Sequence, residues 1–271
     1  MTFYSMKKQD YKFWKASITN KISYYKNLPI PSFIELNLGP TCNRKCDFCP
    51  RAHGWKDSGE YMKLENIRKL RQELEEIGFC GMICICGFGE PLQHPQIENV
   101  IESLKSDKWT VELVTNGDFL TRKVAELPDH VAISMYDGEQ QIEKFTELLS
   151  GLNFSLRERW KTFDTLTNRS GSVDYGSKVD ITKPCNYPLY YMFINHDGDV
   201  YTCPQDWSKK YIFGNVFKNS LINVWMTDLF DTYRRKLLND RDIDPCRNCN
   251  TCGLVYGSEY QKPWKEIYDQ P

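Results

Sequence analysis

The sequence predicts an α/β fold built on a parallel sheet, open or closed as a barrel, followed by a smaller cysteine-bearing appendage. Three observations carry this. Strand-like and helix-like segments alternate from about residue 33 to 156, the alternation stops at a polar, Gly-containing stretch, and cysteines cluster on either side of that stop. Eleven of the 271 residues are cysteine, an odd number that suits a paired disulfide framework badly. Thirty-five Lys+Arg against 36 Asp+Glu leave a net charge of -1, which gives no electrostatic footprint for nucleic acid or an anionic membrane. At 41% hydrophobic and 26% charged, the composition excludes disordered, collagen-like and supercharged classes. Residues Met1 to Asp10 carry no apolar core, and no stretch nears the roughly 18 apolar residues of a membrane span, so the chain is read as cytoplasmic. There, clustered cysteines hold metal or do chemistry rather than pair.

Each element follows from its pattern. Phe33 to Leu38 alternates apolar and polar residues, as a half-buried strand does. Leu64, Ile67, Leu70, Leu74 and Ile77 recur at helical spacing, with Gly78 where a helix stop belongs. Met82 to Cys86 is a buried-strand run, Ile97, Val100, Ile101 and Leu104 mark a second helix, Val111 to Val114 a third strand and Leu120 to Leu127 a short helix. Val131 to Ile133 gives a fourth strand, Ile142, Phe145, Leu148 and Leu149 a helix, and Leu152 to Leu156 a fifth strand. In such folds chemistry collects at the C-terminal ends of the strands. Asn168 to Ser172 reads as a linker. Beyond it, Leu189 to Ile194 and Val200 to Thr202 form a hairpin turning at Asp197-Gly198-Asp199, and Leu221 to Leu238 a single helix. This tail is too small to bury a large core alone and needs a staple, which its cysteines can supply.

Cys42, Cys46 and Cys49 form C-x3-C-x2-C just after the first strand. Three thiolates so close converge on one small object, and soft ligands suit zinc or an iron–sulfur cluster. Structural zinc uses four closed ligands, whereas a four-iron cluster held by three cysteines leaves one iron open. Gly87-Phe88-Gly89-Glu90-Pro91 ends the second strand. Its glycines let backbone carbonyls approach a ligand closely, and Glu90 adds a negative charge beside them.

At these residues the chain resembles the radical S-adenosylmethionine (SAM) superfamily. Its signature is C-x3-C-x2-C, usually with an aromatic before the last cysteine, here Phe48, and its glycine-rich motif, here Gly87, Gly89, Glu90 and Pro91, receives the SAM amino group. Thr115-Asn116 and Ser134, closing the third and fourth strands, match positions where family members contact the SAM ribose and carboxylate, while bland turn and strand-end roles stay open. The resemblance implies a [4Fe-4S] cluster on Cys42, Cys46 and Cys49 whose open iron chelates SAM. It further implies reductive cleavage of SAM to a 5'-deoxyadenosyl radical that abstracts hydrogen from a substrate carbon. The implied partners are a small-molecule substrate and a flavodoxin- or ferredoxin-type reductant, with no nucleic acid and no membrane.

Cys185, Cys203, Cys246 and Cys249 supply four further thiolates, enough to close a cluster or a structural zinc. Gly198-x4-Cys203, Gly214-Asn215-Val216 and Cys246-x2-Cys249 resemble the SPASM/twitch extension of radical SAM enzymes, which implies a second, auxiliary [4Fe-4S] cluster on these four. Full SPASM domains carry two clusters on seven or more cysteines; the five here favour the shorter twitch version and leave Cys252 unassigned. The expected fold is thus a partial (β/α)6 TIM-like barrel with a small C-terminal twitch/SPASM-like α+β domain. The expected divisions are 1–32 as an extension, 33–168 as the barrel, 169–252 as the auxiliary-cluster domain and 253–271 as a tail.

A cluster closed by four cysteines suits electron transfer. The expected activity is therefore that of a radical SAM oxidoreductase, oxidising a hydroxyl of a sugar or cyclitol to a ketone with the auxiliary cluster as electron acceptor. The alternatives are an epimerase or peptide-modifying enzyme with a cysteine hydrogen donor and, from another class, a non-catalytic Fe-S or zinc scaffold, which leaves Gly87 to Pro91 without a purpose. Arg169, at the junction of barrel and tail, is the candidate catalytic residue, binding a substrate hydroxyl or the SAM carboxylate; a solvated loop arginine is the competing reading. Arg157 and Arg159 have similar, weaker claims. Cys80, Cys84 and Cys86 read as small buried hydrophobes, although a thiol facing the substrate would return a hydrogen atom, a possibility Cys252 shares. His53, His94, His130 and His196 are placed in loops without metal-ligand spacing. Tyr256, Tyr260, Trp264 and Tyr268 cover the barrel bottom or an interface.

Overall fold

In the computed structural model, residues 22–56, 59–161, 166–176, 178–182, 184–251 and 258–269 are described; Cys252 and Tyr256 lie outside them. Six parallel strands form the centre: β1 (Phe33–Leu36), β2 (Met82–Ile85), β3 (Thr110–Thr115), β4 (His130–Met135), β5 (Phe154–Glu158) and β6 (Tyr191–Ile194). The antiparallel β7 (Asp199–Tyr201) and β8 (Gly214–Asn215) extend the sheet beyond β6, in the order β8-β7-β6-β1-β2-β3-β4-β5. The sheet therefore runs from β5 to β8 without closing, a partial barrel of six parallel strands.

The sixth strand is the first arm of the expected hairpin. Phe33 pairs with Tyr191 and Leu36 with Ile194, so a segment expected in the tail completes the barrel beside its first strand. It starts two residues later than expected, because Pro188 initiates a short helix, α5 (Tyr187–Tyr190). The expected strands otherwise hold, with shifts of one or two residues at their ends.

Helices α1 (Leu64–Glu76), α2 (Ile97–Leu104), α3 (Arg122–Ala125) and α4 (Gln140–Leu148) connect the strands. Ile67, Leu70 and Leu74 bury one stripe of α1, and the left-handed Gly78 (φ 71) ends it, with Phe79 N donating to Leu74 O at 2.9 Å. The single helix expected over 221–238 is two, α6 (Leu221–Trp225) and α7 (Asp228–Leu237). Thr227 takes an extended backbone between them and accepts from Phe230 N at 3.3 Å, so an N-cap restarts the helix. On α7, Arg234 is fully buried among Trp225, Phe230 and Trp264, 3.9, 4.1 and 4.4 Å from their ring centres. Trp264, on the last helix α8 (Gln261–Tyr268), donates to Leu189 O, and Tyr260 stacks on Tyr190, so these tail aromatics pack where the chain enters β6.

Alternation along β1 differs from the expectation in what it separates. Ile34 and Leu36 form one buried face, but Glu35 is only 5% exposed and faces other strands' polar groups. Tyr191 donates to Glu35; Glu112 accepts from Cys84 at 3.4 Å, lies 3.0 Å from His130 Nδ1 and pairs with Arg157 at 3.6 Å. The polar side of these strands is the barrel interior, not solvent. His130 accordingly begins β4 instead of lying in a loop, and Cys84 is buried in the core as expected, its thiol also donating to Glu112.

Candidate active site

Above this polar interior, one cleft of about 130 Å³ collects the residues that the sequence nominates. Cys42, Cys46, Phe48 and Cys49 line it from the loop after β1. Gly87, Gly89, Glu90 and Pro91 line it from the end of β2, Thr115 and Asn116 from β3, Ser134 from β4, and Arg169 from the junction.

Glycine is required twice where the two key loops meet. Gly87 has φ 126, and a Cβ there would fall 2.6 Å from Asn37 Cβ. A Cβ on Gly89 would lie 2.3 Å from the Gly39 carbonyl oxygen. Gly89 N donates to Asn37 Oδ1 at 3.0 Å, Glu90 N to Thr41 O at 2.8 Å, and Arg51 donates to both Phe88 O and Pro40 O at 2.7 Å. The cysteine loop and the glycine-rich loop thus form one braced unit.

Glu90 is committed more heavily than its sequence role suggests. Its carboxylate accepts from Thr115 Oγ1 at 2.5 Å, Asn116 N at 3.0 Å and Leu92 N at 3.1 Å. Burial raises its pKa, and these three donors oppose that rise. It ties the end of β3 to the glycine-rich loop, and Asn116 Nδ2 continues the chain of contacts to Asn43 Oδ1 at 2.9 Å.

Several lining residues carried no signal in the sequence. Arg44, inside the cysteine motif, binds Asp118 at 2.5 Å and Asp137 at 2.6 Å and lies over the Tyr136 ring. Tyr136 stacks on Phe48, with ring centres 5.7 Å apart, and burial raises its pKa to about 12. Trp207 also lines the cleft, as does Cys86, which the sequence offers as a candidate hydrogen donor. Tyr136 was legible only as the residue following strand β4, and Trp207 only through the fold.

A second, narrow cavity is lined by Cys185, Cys203, Cys246 and Cys249 together. The chain at Arg169-Ser170 separates the two sites: Arg169 lines the first and Ser170 the second, both with left-handed backbone (φ 49 and 52). Arg169 donates to Gln205 Oε1 at 3.4 Å, and Gln205 lines the second cavity.

The donor chemistry fits metal clusters at both places. Burial, then Cys49 and Cys42, pushes the Cys46 thiol up to about 11; burial, then Cys246, Cys249 and Cys185, raises Cys203 well above the ordinary range. Thiols crowded this way ionise readily only with a cation among them. Among the described residues no three His, Cys, Asp or Glu side chains are placed to hold one metal ion.

Fold and donor sets together define an iron–sulfur enzyme of the radical SAM class, and the chain belongs to the radical SAM superfamily. Its family model matches residues 36–169, and that of an iron–sulfur cluster-binding domain, SPASM, matches 185–252. The radical SAM domain implies a 4Fe-4S cluster with SAM, and the SPASM domain implies auxiliary Fe-S clustering. That membership sets aside the non-catalytic scaffold. The chain is 26% identical over 244 residues to the S-adenosyl-L-methionine-dependent 2-deoxy-scyllo-inosamine dehydrogenase of Niallia circulans, covering 84% of this chain and 96% of the relative. It is 31% identical over 254 residues to a probable GTP 3',8-cyclase of Methanococcus maripaludis, covering 84% and 83%. The crystal structure of BtrN in complex with AdoMet and 2-DOIA superposes with a TM-score of 0.71 at 24% identity, covering 84% of this chain and 98% of that one. No helix among the described residues is long and apolar enough to cross a membrane.

Proposed function

We propose that this enzyme oxidises a hydroxyl-bearing carbon of a small sugar or cyclitol to a ketone. Cys42, Cys46 and Cys49 would hold the SAM-binding cluster, and Cys185, Cys203, Cys246 and Cys249 one auxiliary cluster. The observation that carries the reading is the gathering of those last four thiols around one cavity, separated from the SAM cleft by Arg169-Ser170. The match to a cyclitol-amine dehydrogenase over nearly its whole length supports the substrate class.

With SAM and both clusters bound, the chemistry supplied is removal of one hydrogen atom from the substrate carbon and acceptance of the remaining electron, the hydroxyl proton leaving to a protein group or water. The chain's own residues bind, orient and exclude water. Gly87 to Pro91, braced by Asn37, Thr115 and Asn116, would seat SAM. Arg169 stands between cleft and second cavity, where its guanidinium would hold the substrate hydroxyl with Gln205 behind it. Phe48, Tyr136 and Trp207 close apolar walls around the cleft.

A redox-neutral reading has one specific support: Cys86 lines the same cleft and would face a substrate radical. One experiment separates the two. In reconstituted holoenzyme carrying about eight irons, four per cluster, replacing Cys246 and Cys249 by Ala should spare release of 5'-deoxyadenosine but abolish ketone formation. Retained turnover in that variant, with one solvent deuterium incorporated per product, would instead assign epimerisation through a thiol.

A further inference from the structure

The second cavity contains a cation that neither the sequence motifs nor the proposed reaction uses. Arg241 follows α7, is 4% exposed and lines the cavity with the four cysteines. Its two terminal nitrogens donate to the carbonyls of Thr251 and Asp180, and its buried Nε has no hydrogen-bond partner among the described residues. Both partners are neutral, and among the described residues no carboxylate pairs with the guanidinium. Arg44, beside the three-cysteine loop, is the contrast: two carboxylates hold it, at 2.5 and 2.6 Å.

A guanidinium taken from water without a counter-charge is costly, and it persists where aromatic faces surround it, as they do Arg234, or where an opposite charge faces it. Four thiolates around an iron–sulfur cluster provide that charge. We propose that Arg241 offsets the negative charge of the auxiliary cluster and thereby holds its reduction potential up, fitting the site to take an electron. The inference rests on the reading of Cys185, Cys203, Cys246 and Cys249 as ligands of one cluster.

The physics is simple. Reduction adds a negative charge to the cluster, and a fixed cation in low-dielectric surroundings favours the more negative state. Two weaker contacts act in the same direction: Thr251 N lies 3.4 Å from Cys249 Sγ and the Tyr233 hydroxyl 3.6 Å from Cys246 Sγ, although that hydroxyl also donates to Asp244 O. Asp206 acts oppositely on Cys246, but its carboxylate is engaged by Ser208 Oγ at 2.6 Å.

The test is an EPR-monitored redox titration of full-length protein with Cys42, Cys46 and Cys49 replaced by Ala, so that only the auxiliary cluster loads. At the potential where this parent is half reduced, Arg241→Gln should show a reduced-to-oxidised ratio at least tenfold lower, equivalent to about 59 mV for one electron. Arg241→Lys, which keeps the charge, should stay within about threefold of the parent on the same scale. Loss of iron from Arg241→Gln alone also supports charge compensation. An unchanged or raised midpoint in Arg241→Gln with its iron intact overturns the proposal. Equal iron loss in both variants overturns it too, because Arg241 is then a tether for residues 180 and 251. A parent without iron overturns the ligand reading beneath it.

Discussion

Glu35 sits inside the barrel with Tyr191 donating to it, and burial, opposed by that hydrogen bond and by Arg169, raises its pKa to about 7. A carboxyl whose folded pKa exceeds its unfolded 4.5 binds more protons in the native state between those values. Its contribution is therefore fully present below pH 4.5 and is lost as pH rises through 7. The cost of ionising it is about 3 kcal/mol, from the size of the shift. Glu35→Gln should remove this slope, so the stability difference between variant and wild type should grow in the variant's favour by about 3 kcal/mol from pH 4.5 to 8. Denaturant titrations at a series of pH values check this; parallel curves would mean that Glu35 stays ionised. The residue was legible as one polar position of an alternating strand, but alternation alone does not say which face meets water. Arg241 was less legible still, because nothing local marks a loop arginine as buried.

The loops after β1 and β2 approach so closely that backbone lies where Gly89 would carry a side chain. Gly89→Ala places a carbon 2.3 Å from Gly39 O and 2.8 Å from Thr41 O, and neither atom can rotate away. The variant should keep its secondary structure by circular dichroism yet bind SAM at least about tenfold more weakly, a loss of about 1.4 kcal/mol or more. Isothermal titration of reconstituted protein measures it, and wild-type affinity would mean that the loops need no such contact. The glycine pattern and the cysteine spacing are short-range signals, so these elements could be read directly. The break between α6 and α7 was missed because Leu221, Trp225, Leu229 and Tyr233 keep helical spacing through it, while Thr227-Asp228 carries a competing N-cap signal.

At the scale of the whole molecule, the barrel and the SPASM-matched region share one sheet and one hydrophobic core, since β6 joins them. A chain ending at residue 176 would lack β6 and leave β1 with an unpaired edge. It should aggregate in size-exclusion chromatography, and a monomeric fragment retaining four irons would refute the dependence. The first five strands and the four helices between them were readable in order because each strand pairs with the next. The sixth strand was readable as a hairpin arm but not as β1's neighbour, since β1 lies far back in the chain and no local pattern reports such pairing.

The same β1–β6 pairing fixes a timetable. The ribosome makes the three-cysteine loop early, but Asn195, which accepts from Asn37, and Trp207, which walls the cleft, emerge more than 140 residues after Cys49. The walls of the cleft are complete only once those residues are made, so iron loading is expected to follow synthesis of the sixth strand and the segment after it.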